Sequence, residues 1–247
     1  MEQLYADDIS ELDSNKMEIE EKLKTLPQIL SKNGLLVNDD KTEIYEISRT
    51  QDATWKKCKL LGTLLDTTED IKRRKGLAID AIKTLQHIFK NKNIWTSSKS
   101  QAFDAYVSSV FLYNACTWTL TATDEEKIDA FQRKILRINV LNITWPKKIS
   151  NENVYKIAKV KPWSQKIKKQ KLTWFGHLMR MHKDVPARKA LAFAQQFYHR
   201  SRGRPKTTWI KSFEKILTDE MNLTWNEAEE KAQDRKTWKQ LIYQHFP

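Results

Sequence analysis

Features that mark several common functional classes are scarce in this chain of 247 residues. Cys58 and Cys116 are its only cysteines, so neither a disulfide framework nor a cysteine-rich zinc site can form. No apolar run is long enough to span a bilayer, and the first residues lack a basic-then-apolar signal. We therefore expect an intracellular protein, nuclear or cytoplasmic, without a membrane partner. A glycine-rich phosphate loop and a serine or cysteine nucleophile beside a base are also missing.

Acidic residues are scarce in one segment, and this imbalance accounts for the net charge of +13. Residues 146–211 hold eighteen Lys and Arg but only Glu152 and Asp184, whereas residues 1–60 hold nine Lys and Arg and thirteen Asp and Glu. A solvated basic face explains scattered lysines, but a concentration of this size is more typical of a polyanion-binding segment. The charge pattern therefore favours nucleic acid as a partner.

Helical spacing of apolar residues dominates the chain and predicts an α+β protein that is mostly α. Residues 11–33 predict an amphipathic helix, with Ser14 as its N-cap and an interruption at Pro27. Three short apolar runs predict the strands of a small antiparallel sheet: residues 35–37, 44–47 and 60–65.

The same spacing continues through the rest of the chain. Residues 66–92 and 97–118 predict two helices, and Thr123 with Glu126 three residues later predicts a capping box that opens a third. Beyond residue 145, five further helices are predicted: residues 150–160, 162–181, 185–199, 207–221 and 224–243. We therefore expect a helical bundle followed by a basic helical region.

Eight basic residues of this last region are candidates for contact with nucleic acid: Lys166, Lys168, Lys169, Lys171, Arg200, Arg202, Arg204 and Lys206. The string Arg202-Gly203-Arg204-Pro205 is also the core of an AT-hook, a short segment that enters the minor groove of A·T-rich DNA. A basic turn between helices is the alternative interpretation. The flanking Arg200 and Lys206 favour contact with the phosphate backbone over base-specific recognition.

Tryptophans recur through the basic half at positions 145, 163, 174, 209, 225 and 238. Aromatic side chains between lysines can stack on unpaired bases. At helical spacing, however, tryptophan is more often a core residue, and a small helical domain needs the apolar area that it buries. We expect most of these six side chains to lie in the core.

The stretch Tyr5-Ala6-Asp7-Asp8 predicts a tight hairpin with two adjacent carboxylates at its tip. Burying adjacent like charges is costly, so such a pair faces either water or a cation. A solvated acidic turn is one interpretation. The other is a magnesium site, because hard divalent ions prefer carboxylate oxygens.

Several strings, in order along the chain, resemble the reverse transcriptases of non-LTR (LINE-type) retrotransposons, and those of RTE/BovB-like elements in the C-terminal half. They are Leu4-Tyr5-Ala6-Asp7-Asp8-Ile9, Gly34-Leu35-Leu36-Val37-Asn38 with Lys41-Thr42, Lys59-Leu60-Leu61-Gly62, Trp174-Phe175-Gly176-His177-Leu178-Met179-Arg180 and Gly203-Arg204-Pro205-Lys206-Thr207-Thr208-Trp209. The resemblance implies three regions: a truncated polymerase palm at 1–65, a thumb-like helical bundle at 66–145 and a basic helical nucleic-acid-binding domain at 146–247.

The resemblance also implies an activity and a site. Family members copy element RNA into DNA at a chromosomal target, using deoxynucleotides and Mg²⁺ (or Mn²⁺). Asp7 would be the principal metal ligand and Asp8 the secondary one, joined by a carboxylate from an earlier strand. The carboxylates would then be the catalytic residues of an RNA-directed DNA polymerase.

Four further residues would contact nucleotide or primer: Tyr5, Lys41, Leu61 and Gly62. Lys41 would neutralise triphosphate charge or donate a proton, although an exposed loop lysine is the alternative. Gly62 would let backbone approach the primer closely, although an ordinary strand glycine is the alternative.

Only four residues precede Tyr5, so the strand that bears the third carboxylate and the fingers are not in this sequence. We expect this chain alone not to polymerise, and another chain supplying the missing palm and fingers is unproven. The alternative function, from a different class, is a non-enzymatic DNA- or RNA-binding module formed by residues 146–247.

Overall fold

The chain folds into two compact units, Met1–Trp55 and Lys56–Pro247. The computed structural model describes residues 2–5, 7–47, 54–144, 146–196 and 207–247. Most of them are helical, and the strands form small two-stranded antiparallel sheets. The prediction of a mostly α protein with a little antiparallel β structure is confirmed. Among the described residues, no helix combines the length and apolarity that crossing a membrane requires.

The first unit begins with a hairpin and continues with one helix. Strand β1 (Glu2–Tyr5) pairs antiparallel with β2 (Asp8–Glu11). Helix α1 (Lys16–Ser31) follows, and Pro27 lies inside it without dividing it. Its N-cap is Asn15 and not Ser14, because the Asn15 side chain accepts a 3.0 Å hydrogen bond from the Met17 N–H. None of the described side chains of this unit is buried.

Two expected strands of the first unit are absent from the described structure. Residues 35–37 and 44–47 are irregular, and between them lies a single 3₁₀ turn, Asp39–Lys41. Leu36 is 91% exposed. A short apolar run becomes a strand only where a neighbouring strand pairs with it and buries one face. Sequence alone does not reveal whether that neighbour is present.

The second unit opens with a hairpin that leads into a helix. Strands β3 (Lys59–Leu60) and β4 (Thr63–Leu64) pair antiparallel. Helix α2 (Thr67–Thr84) begins after Asp66, whose carboxylate accepts from the Thr68 and Glu69 N–H groups at 2.9 and 3.0 Å. This hairpin is part of the second unit, whereas the sequence-based division placed residues 56–65 in the first region.

The predicted helix over 66–92 is two helices, since α2 ends at Thr84 and a short α3 (Gln86–Lys90) follows Leu85. The next predicted helix, 97–118, is observed as α4 (Thr96–Ala102), a π-helical segment Phe103–Ser108 and α5 (Ser109–Phe111), followed by turns.

Helix α6 (Ala122–Ile135) continues into a second π-helical segment, Leu136–Val140. Its capping box is formed by Thr121 and Asp124, two residues earlier than predicted. Asp124, at the third helical position, completes the capping box in the same way as the glutamate of the expected pattern would.

Five helices and the end of the chain complete the second unit around the long helix α8 (Trp163–Met179). Helix α7 is Asn151–Ala158 and precedes it. The helices that follow it are α9 (Pro186–Gln196), α10 (Trp209–Met221), α11 (Trp225–Gln233) and α12 (Arg235–His245).

Helix α8 contributes to two hydrophobic cores. Its first turns belong to a core shared with α2, α3, α5, α6 and α7, in which Trp163 stacks on Phe111 with ring centroids 4.1 Å apart. From Leu172 onward it packs with α10, α11 and α12, where Phe175 stacks on Phe213 at 4.4 Å. The two cores therefore meet within α8, whereas the sequence places a domain boundary near residue 145.

Side chains of α6 cap the start of α8. Pro162 precedes the helix and offers no side-chain cap. Instead, Gln132 accepts a hydrogen bond from the Trp163 N–H at 2.8 Å, and Asp129 accepts from both the N–H and the hydroxyl of Ser164, at 2.9 and 2.6 Å. The negative carboxylate also suits the positive end of the helix dipole. The orientation of α8 is thus fixed by polar contacts as well as by apolar packing.

Candidate functional site

The hairpin of the first unit places the two candidate metal ligands side by side at its end. Asp7 lies in the turn, and Asp8 is the first residue of β2, paired with Tyr5. Both carboxylates are exposed, so their oxygens are accessible to a cation. Adjacent carboxylates are the donor type that Mg²⁺ prefers, and the donor set fits the metal in kind. Among the described residues, no group of three or more His, Cys, Asp or Glu side chains converges on a point where a metal could bind.

Two of the proposed nucleotide contacts lie in this same unit. The Tyr5 side chain is 67% exposed. Lys41 ends the 3₁₀ turn that Asn38 caps, with its N–H donating to the Asn38 side-chain oxygen at 3.2 Å. The Lys41 side chain is exposed as well. Both side chains are thus accessible to a ligand.

Leu61 and Gly62 form the turn between β3 and β4 and belong to the second unit. Both have positive φ, 46° and 78°, as a two-residue type I′ hairpin turn requires. The Gly62 carbonyl accepts from Arg73 at 2.9 Å and from Arg74 at 2.5 Å. The Tyr113 hydroxyl donates to the Leu61 carbonyl at 2.9 Å. The backbone oxygens of this turn are therefore engaged within the protein, and Gly62 supplies the left-handed conformation.

The four candidate lysines of α8 all have partners inside the second unit. Lys166 pairs with Asp104, and Lys168 pairs with both Glu125 (3.3 Å) and Glu220 (2.7 Å). Lys169 donates to the Phe246 carbonyl at 2.8 Å and lies 3.8 Å above the Tyr243 ring. These contacts connect α8 to its neighbours. The lysines of this helix therefore serve in part as tertiary contacts within the protein.

The fourth of these lysines, Lys171, is buried and only 2% exposed. Its ammonium donates to the Ser212 hydroxyl at 3.0 Å and lies 6.0 Å from the centre of the Trp209 ring. Burial lowers the pKa of Lys171 to about 8, and the charges of Glu125 and Cys116 offset the shift only in part. This side chain is placed in the protein interior and not on a surface that a polyanion could reach.

Five other lysines of the basic segment are exposed and form no ion pair with any residue that the structure describes: Lys147, Lys148, Lys159, Lys161 and Lys183. They lie in the irregular segments before α7, between α7 and α8, and after α8. The sequence-based candidates do not include these five, whereas they include four lysines within six residues of α8. All of the five except Lys159 lie outside the predicted helices, where the i,i+4 spacing that pairs charges on a helix does not apply.

A groove of about 770 Å³ runs along the exposed side of α8, and we call it the α8 groove. Lys161, Gln165, Lys169, Gln170, Trp174 and His177 line it, together with the turn after α5 and the last two residues. Trp174 is 37% exposed, and its ring centroid lies 5.6 Å from that of His177. Among the described residues, no Asp or Glu lines the groove.

Of the residues Trp174 to Arg180, some have side chains that line this groove and others have side chains in the core. Phe175, Leu178 and Met179 are buried in the second core. Gly176 leaves room for Trp238, whose indole N–H donates to the Leu172 carbonyl at 2.8 Å. Of the five tryptophans of this half that the structure describes, Trp163 and Trp238 are buried, Trp209 and Trp225 are half-buried against the second core, and Trp174 is exposed.

The remaining candidates, Arg200, Arg202, Arg204 and Lys206, lie outside the described residues, as do Gly203, Pro205 and Trp145. The AT-hook interpretation of this string therefore stays a prediction.

The chain has no match among protein-family models, curated proteins or solved structures. A functional proposal therefore rests on the chain's own residues and their geometry.

Proposed function

We propose that this chain is part of an RNA-directed DNA polymerase of the non-LTR retrotransposon type. In this proposal its hairpin supplies two metal-binding carboxylates and its second unit binds nucleic acid. The observation that carries the proposal is the β1–β2 hairpin, which carries Asp7 in its turn and Asp8 at the start of β2, both exposed. The regions resembling palm, thumb and C-terminal domain are part of the same proposal.

Asp7 and Asp8 would hold Mg²⁺, or Mn²⁺ in its place. The metal would supply positive charge at the reacting oxygens of nucleotide and primer. Mg²⁺ takes six oxygen ligands in near-octahedral geometry, and two carboxylates provide only part of such a set. We propose that a further carboxylate, one that no described residue of this chain places beside Asp7 and Asp8, completes the protein ligands. For that reason we expect the chain alone to incorporate no nucleotide.

The metal-binding part of this proposal can be tested without activity. Mn²⁺ is titrated into the labelled protein, and the paramagnetic broadening of backbone amide signals is followed by NMR. We expect the earliest broadening around residues 5–9, and its loss in Asp7→Ala. Asp40→Ala is the matched control, because Asp40 is an exposed acid next to another acid, Asp39, in the same unit. Equal broadening at both acidic pairs would argue against a dedicated site.

Polymerase activity is tested with a primed RNA template, Mg²⁺ and labelled deoxynucleotide. Wild type, Asp7→Ala and Asp40→Ala are compared side by side. We expect no incorporation by any of the three when the chain acts alone. Incorporation that Asp7→Ala abolishes and Asp40→Ala preserves would show that the chain holds a complete site, and would contradict the expected inactivity of the chain alone.

The second candidate function is a non-enzymatic nucleic-acid-binding module on residues 146–247. The observation that favours it is the set of exposed lysines without ion pairs among the described residues. Lysines that contact phosphates release counterions, so affinity for duplex DNA should fall with salt with a slope near −0.9 per phosphate contact. Salt-dependent binding together with no localisation of Mn²⁺ at Asp7 and Asp8 would favour this module over the polymerase.

A further inference from the structure

We propose that the α8 groove is a binding site for single-stranded nucleic acid, with a base stacked on Trp174 and the backbone held near Lys161 and Lys169. This inference rests on the proposed nucleic-acid function and names the strand type and the surface. The groove is independent of the Asp7–Asp8 hairpin, which belongs to the other unit.

The groove has the dimensions of a strand-binding surface. Its helical side extends from Gln165 to His177, and at 1.5 Å per residue this is about 18 Å. A volume of about 770 Å³ is typical of a ligand-binding cleft and is too large for a packing defect. The site can therefore accept several linked groups of a chain-like ligand.

The charge of the groove matches a polyanion. Lys161, Lys166 and Lys169 line it, and no acidic side chain among the described residues does, although Lys166 is paired with Asp104 outside the lining. Lys161 is exposed and has no ion-pair partner within the described part of the chain, so its ammonium is available to a phosphate. Lys169 already contacts the Phe246 carbonyl and the Tyr243 ring, which hold its ammonium at the groove wall.

The neutral lining favours unpaired bases over a duplex or an acidic peptide. A base offers apolar faces and polar edges, and the groove offers both kinds of partner. Trp174 presents an exposed indole, Gln170 presents an amide one helical turn before it, and Gln165 presents a second amide farther along the groove. In a duplex the base faces are stacked on one another and cannot reach Trp174. An acidic peptide would engage the lysines but would not need the indole.

The test uses the full chain and fluorescence anisotropy with labelled oligonucleotides of about ten residues, a length within the range of single-strand binding sites. Oligo-dT, oligo-rU and a duplex of equal length are titrated at several salt concentrations. The variants are Trp174→Ala, Trp174→Phe and Lys161→Gln. The matched controls are Trp95→Ala, which removes an exposed indole outside the groove, and Lys183→Gln, which removes an exposed charge of the same segment.

We expect wild type to prefer single strands over duplex. Trp174→Ala should weaken single-strand binding about fivefold or more, because stacking one base contributes on the order of 1 kcal/mol or more. Trp174→Phe should retain most of the affinity. Lys161→Gln should reduce the salt dependence of single-strand binding by about 0.7 in slope. The comparison of oligo-dT with oligo-rU shows which backbone sugar the groove accepts.

Two negative results have different meanings. If wild type binds none of the oligonucleotides even at low salt, both the nucleic-acid function and the groove assignment are overturned. If wild type binds with salt dependence but Trp174→Ala and Lys161→Gln match their controls, the groove assignment alone is overturned. A preference for duplex that Trp174→Ala leaves unchanged would have the same meaning.

Discussion

Gly176 and Trp238 are in direct contact, and a Cβ atom added to Gly176 would lie 2.3 Å from Cδ1 of the Trp238 indole. The indole is 2% exposed and is held by its hydrogen bond to the Leu172 carbonyl, so it has little room to move. The glycine of the Trp-Phe-Gly-His string thus permits close packing of α12 on α8.

Gly176→Ala should destabilise the protein by about 1–3 kcal/mol, because the added methyl group overpacks a filled core. The free energy of unfolding from denaturant titration measures this change. Gly76→Ala is the matched control, since Gly76 also lies in a helix but has no atom within 4 Å of the added Cβ. The control should gain about 0.5–1 kcal/mol from helix propensity. Equal effects at the two glycines would contradict the role of the Trp238 contact.

Lys171→Met should stabilise the protein at pH 7 by about 1–3 kcal/mol, because it removes a buried charge from the interior. The Ser212 hydroxyl keeps a partner after the change, since it also donates to the Trp209 carbonyl at 2.8 Å. Lys189→Met, at an exposed position of α9, is the control and should change stability little.

The same side chain predicts a dependence of stability on pH. The pKa of Lys171 is about 8 in the folded protein and near 10.5 in the unfolded chain. The folded protein therefore binds this proton less tightly than the unfolded chain does. The resulting loss of stability is present in full below pH 8 and disappears as the pH rises toward 10.5. We expect the stability difference between Lys171→Met and wild type to shrink over that interval. A difference that stays constant from pH 7 to 10 would show that the lysine is not desolvated.

Asp70→Ala should destabilise the second unit by about 3–5 kcal/mol. The Asp70 carboxylate is fully buried and accepts hydrogen bonds from the Leu64 N–H at 3.0 Å and the Trp118 indole at 2.8 Å. It also lies 3.8 Å from the buried Arg74, which the substitution would leave without its counter-charge. Asp80→Ala removes an exposed partner of Lys83 and should cost less than about 1 kcal/mol. Thermal unfolding of both variants distinguishes the two cases.

Rates of amide hydrogen exchange should differ between the two units. No described side chain of the first unit is buried, so local opening of α1 exposes little additional apolar surface. We expect its amides to exchange far faster than those of α6 and α8, which exchange through unfolding of the cores. Protection of α1 equal to that of α8 would mean that the first unit is stabilised by contacts other than its own apolar packing.

Local sequence patterns were sufficient where a few neighbouring residues determine the structure. The hairpin around Asp7 follows from the apolar Leu4, Tyr5 and Ile9 that flank its two carboxylates, and α1 follows from the helical spacing of its apolar residues. Where two similar signals compete, the sequence is ambiguous, as at Thr121 and Thr123, which both precede an acidic residue three positions later. The structure selects Thr121, whose side chain and Asp124 form the capping box.

The sequence by itself determined that the chain is mostly helical, basic in its second half and equipped with two exposed carboxylates on a hairpin. These properties depend on composition and on spacings of two to four residues. Only the tertiary structure decided which lysines form ion pairs within the protein and which remain exposed. Lys168 and Lys161 cannot be distinguished in the sequence, and only the fold places Glu125 and Glu220 beside Lys168. It also decided that Trp174 lines a groove while Phe175 fills a core, because neighbouring positions of a helix face different surroundings only once other helices are packed around it.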